Sequence, residues 1–153
     1  MKKYLYLLLL ALVPAFTFTA CGDDDELDPD DVNPEDVQVS KPTLKEDGNK
    51  VTLTYAESYG TWKITIVETY EFQGERLVRA TISETFPTED LAKLFMEEVQ
   101  ADPEEQEWYK DLSRSGKTVT YDATESYAQY SKQEIMAMLQ QRIATWDQTY
   151  NQK

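Results

Sequence analysis

The alternation of apolar and polar side chains over residues 50–86 decides the fold. This stretch is KVTLTYAESYGTWKITIVETYEFQGERLVRATISETF. Apolar and polar residues alternate over 50–57, 62–72 and 77–86, which is the period of half-buried β-strands. The turn at Gly74 is short enough to join two neighbouring strands as a hairpin. Three sequential strands in an antiparallel meander are therefore predicted. Their buried face is expected to carry Val51, Leu53, Tyr55, Trp62, Ile64, Ile66, Val78, Ala80 and Ile82.

After residue 86 the pattern changes to the helical period. Thr88 is a suitable N-cap for a first helix, since its hydroxyl can accept a hydrogen bond from the first turn. Asp102 followed by Pro103 begins a second helix, which is expected to run briefly to Leu112 and to present Trp108 and Leu112. The buried stripe of the first helix is predicted to contain Leu91, Leu94, Phe95 and Val99.

The C-terminal part of the sequence predicts one more strand and a closing helix. Residues 117–124 alternate again, with Val119 and Tyr121 on one face. Ser131 and Glu134 have the spacing of a capping box, and apolar residues follow at helical intervals to the end of the chain. The predicted fold class is α+β, with an antiparallel sheet of about four strands, a meander of three plus one, and two to three helices on one face.

Composition limits the possible functions. The chain has 153 residues, a formal net charge of -14, one cysteine and no histidine. The absence of histidine excludes histidine general bases, Ser-His-Asp sites and imidazole-bound metals. From residue 37 onward there are 13 basic and 20 acidic residues, without a basic stripe, so nucleic acid is not an expected partner. No cofactor and no metal is expected.

The N-terminus has the layout of a secretory signal. Two lysines precede an apolar run over residues 4–13, which is too short to span a membrane, and small residues lead to Cys21. The segment Phe18-Thr19-Ala20-Cys21 resembles the bacterial lipobox. That resemblance implies that residues 1–20 are a lipoprotein signal peptide and that Cys21 carries diacylglycerol and an acylated amine. Such an anchor would bind membrane lipid stably.

An acidic run follows the cysteine at Asp23, Asp24, Asp25 and Glu26. It is similar to the export signal of lipoproteins in the Bacteroides group, which implies an outer-membrane protein that faces outward. The alternative is a domain that faces the periplasm. Residues 21–42 are rich in acids and proline, so we expect a lipidated cysteine followed by a disordered tether, and a single domain over 43–153. A calcium loop is not favoured because the glycine that an EF-hand loop requires at its sixth position is missing.

Carboxylates are the main catalytic groups left to this chain. Glu57, Glu68, Glu71 and Glu84 lie on predicted strands, where pairs of them could act in glycoside hydrolysis. Glutamates on the polar face of a sheet are the ordinary case, however. We therefore expect these side chains to be solvated, and the domain not to be an enzyme.

Aromatic residues are the one unusual enrichment of the domain. Tyrosine, tryptophan and phenylalanine cluster in the first two predicted strands, and on an exposed sheet such rings could bind sugars or an extended peptide. The alternative is that they complete the core. Tyr127 and Tyr130 lie between the last strand and the last helix and are a candidate contact surface.

The sequence thus predicts a membrane-anchored lipoprotein with a small, non-enzymatic domain that binds an unknown protein or glycan partner or supports an envelope assembly. The first alternative is a carbohydrate-binding accessory module. The second is a small hydrolase that uses carboxylates.

Overall fold

The computed structural model describes residues 37–59 and 62–150. The elements, in chain order, are β1 (Val37–Val39), β2 (Thr43–Asp47), β3 (Lys50–Tyr59), β4 (Trp62–Gln73), β5 (Arg76–Thr85), α1 (Glu89–Ala101), α2 (Pro103–Gln106), β6 (Lys110–Ser115), β7 (Thr118–Asp122), α3 (Thr124–Tyr127) and α4 (Lys132–Tyr150). The predicted meander is confirmed: β3 pairs antiparallel with β4, and β4 pairs antiparallel with β5. The α+β class is also confirmed.

The sheet has seven strands, so the prediction of about four was wrong. Its order is β1-β3-β4-β5-β7-β6, and β2 pairs with the same edge of β3 as β1 does. The three strands that were missed, β1, β2 and β6, have the sequences VQV, TLKED and KDLSRS. They are short or polar, and each is held in place by pairing with a neighbouring strand. Alternation of side chains is therefore too weak in them to reveal a strand.

The predicted tether, residues 21–42, includes the first strand, so its boundary was placed too late. Val37 to Val39 pair with Tyr59 to Glu57 of β3. The Ser40 amide donates to the Ala56 carbonyl oxygen at 2.7 Å, and Pro42 is buried. Residues 37–42 belong to the domain because they complete hydrogen bonds that β3 would otherwise direct to water.

The second predicted helix was also too long. Asp102 is its N-cap as expected, with Oδ1 accepting from the Glu104 amide at 2.9 Å, but α2 ends at Gln106. Residues 110–115 instead form edge strand β6, where Asp111 has a φ of 51° at an irregularity in the pairing. Pairing with β7 buries Tyr109 and half-buries Leu112, which a continued helix would not do.

The other two helix starts are confirmed. Thr88 Oγ1 accepts from the Leu91 amide at 3.2 Å. The Ser131 amide donates to Glu134 Oε2 at 2.8 Å, and the Glu134 amide donates to Ser131 Oγ at 3.3 Å, which completes the capping box. The buried stripe of α1 is rotated from the predicted one, because Ala92 is fully buried and Leu94 is 40% exposed.

Helices α1 and α4, which have buried residues, both pack on the same face of the sheet. We call this the covered face and the other the open face. Two groups of buried residues lie on the covered face. The α4 core contains Val51, Leu53, Tyr55, Ile66, Tyr70, Phe72, Leu77, Ala80, Ala123, Ile135 and Leu139. The α1 core contains Phe86, Ala92, Val99, Tyr109, Val119 and Tyr121. Ile64 and Ile82, both half-buried, pack against both cores.

One predicted core residue of the meander lies outside. Val78 is 45% exposed, whereas its neighbour Leu77 is buried. The pairing of β4 with β5 shifts between Glu71 and Phe72, so the side-chain alternation of β5 slips by one position at its start.

Residues 1–36 lie outside the described part of the chain, and so do the predicted signal peptide, Cys21, the acidic run from Asp23 to Glu26 and most of the tether. Within the residues that are described, no helix is both long enough and apolar enough to cross a membrane.

Candidate functional site

Three of the four candidate glutamates lie on the covered face, which contradicts the expectation of solvated side chains. Glu57, Glu68 and Glu84 are 5%, 3% and 4% exposed. Strand register explains the burial: Glu57 pairs with Ile64, Glu68 with Leu53 and Ile82, and Glu84 with Ile66. Each glutamate therefore points to the same side as the apolar residues. Only Glu71 lies on the open face.

A signal for this burial exists in the sequence. Glu57 continues the series of Val51, Leu53 and Tyr55 at intervals of two residues. Side chains two apart in a strand point to the same face, so the position of Glu57 predicts a buried carboxylate once the apolar face is chosen. Residue type suggested the opposite, because glutamate is rarely buried without a partner.

Glu68 has that partner in α4. The Arg142 guanidinium forms two hydrogen bonds with the Glu68 carboxylate, Nη1 to Oε2 and Nη2 to Oε1, both at 2.8 Å. Tyr70 Oη donates to Glu68 Oε2 at 2.7 Å. Burial acts to lower the pKa of Arg142, but the hydrogen bonds and negative charge of Glu68 outweigh it and raise that pKa above its usual range. A paired arrangement of this kind keeps both charges in the interior.

Arg142 also covers an aromatic ring, with its Cζ 5.5 Å from the centroid of Tyr55. The contact joins β3, β4 and α4 through one cation. Sequence reasoning missed Arg142. It lies between Leu139 and Ile143 in a helix that was interpreted from its apolar residues alone.

Glu84 has a different environment. Its Oε1 accepts a hydrogen bond from Tyr121 Oη at 3.1 Å. Burial, which is the largest cause, and the charge of Glu57 together raise the pKa of Glu84 to about 7, although the Tyr121 hydrogen bond acts to lower it. Glu84 therefore keeps its proton to a higher pH than a solvent-exposed glutamate does.

Four buried tyrosines line the same face. Burial raises the pKa of each of them, so they stay neutral phenols: Tyr55, Tyr70, Tyr109 and Tyr121. The rings of Tyr109 and Tyr121 pack edge to face with centroids 4.7 Å apart. These aromatic residues complete the core, which was the alternative to an exposed binding surface.

The candidate contact residues Tyr127 and Tyr130 are half-buried and pack against the α4 core. The Tyr127 ring lies edge to face on Tyr70, with centroids 5.1 Å apart. Both tyrosines therefore contribute to packing, and what their exposed sides contact stays a prediction.

The open face is lined by hydroxyl groups instead of rings. The register places the rings of Tyr55, Trp62, Tyr70, Phe72 and Tyr121 on the covered face. Ser83 Oγ and Thr120 Oγ1 are hydrogen-bonded at 2.9 Å, and Thr85 Oγ1 and Thr118 Oγ1 at 3.0 Å. Such pairs hold neighbouring strands together across the face. The described part of this face thus lacks the rings on which sugars stack.

Trp108 is the most exposed large apolar side chain of the described residues, at 67%. It lies between α2 and β6, at the far edge of the sheet from β1. Five strand spacings separate the two edges, which is about 24 Å. The chain from the predicted anchor enters at β1, so Trp108 lies on the side of the domain away from that entry.

The described residues contain no group of three or more Cys, Asp or Glu side chains arranged to hold a metal ion. Comparison of the chain with known protein families, with curated proteins and with solved structures finds no match.

Proposed function

We propose that this chain is a membrane-anchored, outward-facing lipoprotein whose α+β domain binds a partner or supports an envelope assembly without catalysing a reaction. The observation that carries the proposal is the burial of three glutamate carboxylates. Glu57, Glu68 and Glu84 are each at most 5% exposed. A hydrolase needs two carboxylates that flank a bound substrate, and side chains this buried cannot approach one.

The two alternatives receive less support from the same residues. A carbohydrate-binding module commonly uses exposed rings, whereas the described open face carries hydroxyls and most of the clustered aromatic side chains are buried. The exposed Trp108 is the better contact candidate, because tryptophan is enriched among residues that dominate binding energy. Its place opposite the entry of the tether would keep it accessible on a cell surface.

The anchor is tested with Cys21→Ala. Metabolic labelling with a fatty acid should mark the parent protein and leave the variant unlabelled. Equal labelling of both would remove the lipoprotein assignment.

The orientation is tested by changing Asp23, Asp24, Asp25 and Glu26 together to alanine. The variant should remain folded and lipidated but face the periplasm. Protease added to intact cells should then digest the parent and spare the variant. Digestion of both, or of neither, would contradict the export role of the acidic run.

Binding is tested by placing a photoreactive aromatic residue at Trp108 on intact cells. We expect an adduct of defined mass that does not form from the matched position Val78, which is also apolar and exposed but lies elsewhere on the sheet. The adduct should persist in Glu84→Gln, because a binding surface does not need the interior carboxyl. The same adducts from both positions, or none from either, would contradict a contact at Trp108.

A further inference from the structure

Glu84 and Glu57 lie where the two cores of the covered face meet. Glu57 pairs with Ile64 and Glu84 with Ile66, so the two carboxylates flank β4 on one side of the sheet. Ile64 packs against both the α4 core and the α1 core. The boundary between the cores is therefore a band that contains two acids among apolar groups.

The charged and titratable groups around Glu84 come from several elements. Strand β3 contributes Tyr55 and Glu57, β4 contributes Glu68, and β7 contributes Tyr121. Tyr109 precedes β6, and Glu105 of α2 acts electrostatically on Tyr109. From α4 comes Arg142, which is bound to Glu68. The α1 residues packed on Tyr109 and Tyr121 are Phe95 and Val99, which are apolar.

Glu84 and Glu68 differ in how well their partners compensate a negative charge. The Arg142 guanidinium is already held by two hydrogen bonds to Glu68. Arg114 of β6 lies in the same row as Glu84, with Val119 between them, and its Nη1 donates to the Gly116 carbonyl oxygen at 2.8 Å. Tyr121 gives Glu84 one hydrogen bond, and Glu57 adds a negative charge nearby. Ionised Glu84 therefore places a second negative charge in a dry region, which costs free energy unless water or movement relieves it.

We propose that the Glu84 carboxyl is a pH-sensitive switch between the two cores of the domain. Glu84 is protonated in the tightly packed form, and loss of its proton loosens the packing of β7 and α1 against the rest of the sheet. The domain is thus tight in mildly acidic surroundings and looser in alkaline ones.

The direction follows from linkage. The pKa of Glu84 is about 7 in the folded domain and near 4.5 in the unfolded chain, so the folded form binds the proton more tightly. Stability is therefore lost as pH rises from about 4.5 to about 7, and little more is lost above that. Between pH 5.5 and 8.5 the unfolding equilibrium constant should rise on the order of 30-fold because of this one group.

The test is chemical unfolding of the mature protein at pH 5.5, 7.0 and 8.5. Glu84→Gln replaces the carboxyl with a neutral group of the same shape, so it should lose this 30-fold component. Glu71→Gln is the matched control on the open face and should follow the parent at every pH. Glu57→Gln should move the midpoint of the pH dependence downward, because it removes the nearby charge.

Amide exchange in β7, corrected for the intrinsic effect of pH, should show the loosening directly. Protection of the Val119 and Tyr121 amides should fall at pH 8.5 in the parent and not in Glu84→Gln. A Glu84→Gln variant with the same pH dependence as the parent would overturn the switch, as would equal flattening by Glu71→Gln. If Glu84→Gln fails to fold, an unchanged midpoint in Glu57→Gln overturns it.

Discussion

Glu68 and Glu84 are the same residue type, equally buried on the same face of one sheet, yet they are satisfied in different ways. Glu68 meets a guanidinium in two hydrogen bonds and a phenol in a third. Glu84 meets one phenol at 3.1 Å. Burial alone therefore does not decide how the charge of an acid is compensated in this domain. The partner supplied by a neighbouring element does, since α4 supplies a cation to Glu68 whereas β7 supplies a neutral donor to Glu84.

The largest effect is expected from removing that cation. Arg142→Met leaves the Glu68 carboxylate buried without its charge partner, so the free energy of unfolding should fall by about 3 to 5 kcal/mol. Lys93→Met is the control, since it breaks the exposed pair with Glu97 and should cost about 0.5 kcal/mol or less. Urea unfolding measures both. Equal losses would mean that the interior pair is no more important than a surface one.

Removing residues 37–42, at the edge of the sheet beside α4, should cause the next largest loss of stability. Trp146 Nε1 donates to the Val39 carbonyl oxygen at 2.8 Å, and Ser40 Oγ accepts from the Ala56 amide at 2.7 Å. A fragment that begins at Thr43 should therefore be less stable than one that begins at Val37 by about 2 to 3 kcal/mol. Thermal unfolding compares the two fragments. The same melting temperature for both would mean that residues 37–42 do not stabilise the domain and belong to the tether, as the sequence predicted.

Removing one phenol from each glutamate sharpens the comparison. Tyr121→Phe should cost about 1 kcal/mol at pH 5.5 and about 2 kcal/mol at pH 8.5, because the lost hydrogen bond is stronger when Glu84 is ionised. Tyr70→Phe should cost the same at both values, since the Glu68–Arg142 pair remains. Unfolding of the two variants at each pH measures the difference. If the loss of stability depended on pH in Tyr70→Phe and not in Tyr121→Phe, Glu68 and not Glu84 would be the residue that changes its protonation in this range.

Replacing Trp108 should have the smallest effect on stability. Its side chain is mostly exposed, so Trp108→Ala should change the free energy of unfolding by about 0.5 kcal/mol or less. Trp146→Ala is the matched change at a half-buried tryptophan whose Nε1 donates to the Val39 carbonyl oxygen, and it should cost clearly more. A large loss for Trp108→Ala would mean that the ring has a structural role and would weaken its use as a contact candidate.

The parts of the fold that the sequence predicted are those with strong local signals. Long alternating strands and helix caps are encoded by neighbouring residues, so the meander, Thr88, Asp102 and Ser131 were interpreted correctly. Strand β6 was not, because six mostly polar residues at an edge gain their conformation from pairing with β7. The exposure of Val78 was missed because the shift of register between β4 and β5 leaves no mark in the sequence of β5.

The candidate site divides in the same way. The face of each glutamate follows from strand parity, which a single sequence contains. Its partner does not, because Arg142 is 74 residues from Glu68 and Tyr121 is 37 residues from Glu84. Pairings at such separations depend on how the helices and strands pack in three dimensions. Glutamate on a strand was therefore interpreted as solvated, which is the usual case for that residue type and wrong for three of the four.

The most direct test of this account is the titration of the glutamate side chains by nuclear magnetic resonance. Carbon-13 shifts of the side-chain carboxyls report the protonation of each residue separately. The structure predicts a midpoint near pH 7 for Glu84, which should move down in Glu57→Gln. A Glu84 midpoint near 4.5, unchanged by that variant, would contradict the claim that this carboxyl keeps its proton in the interior of the domain.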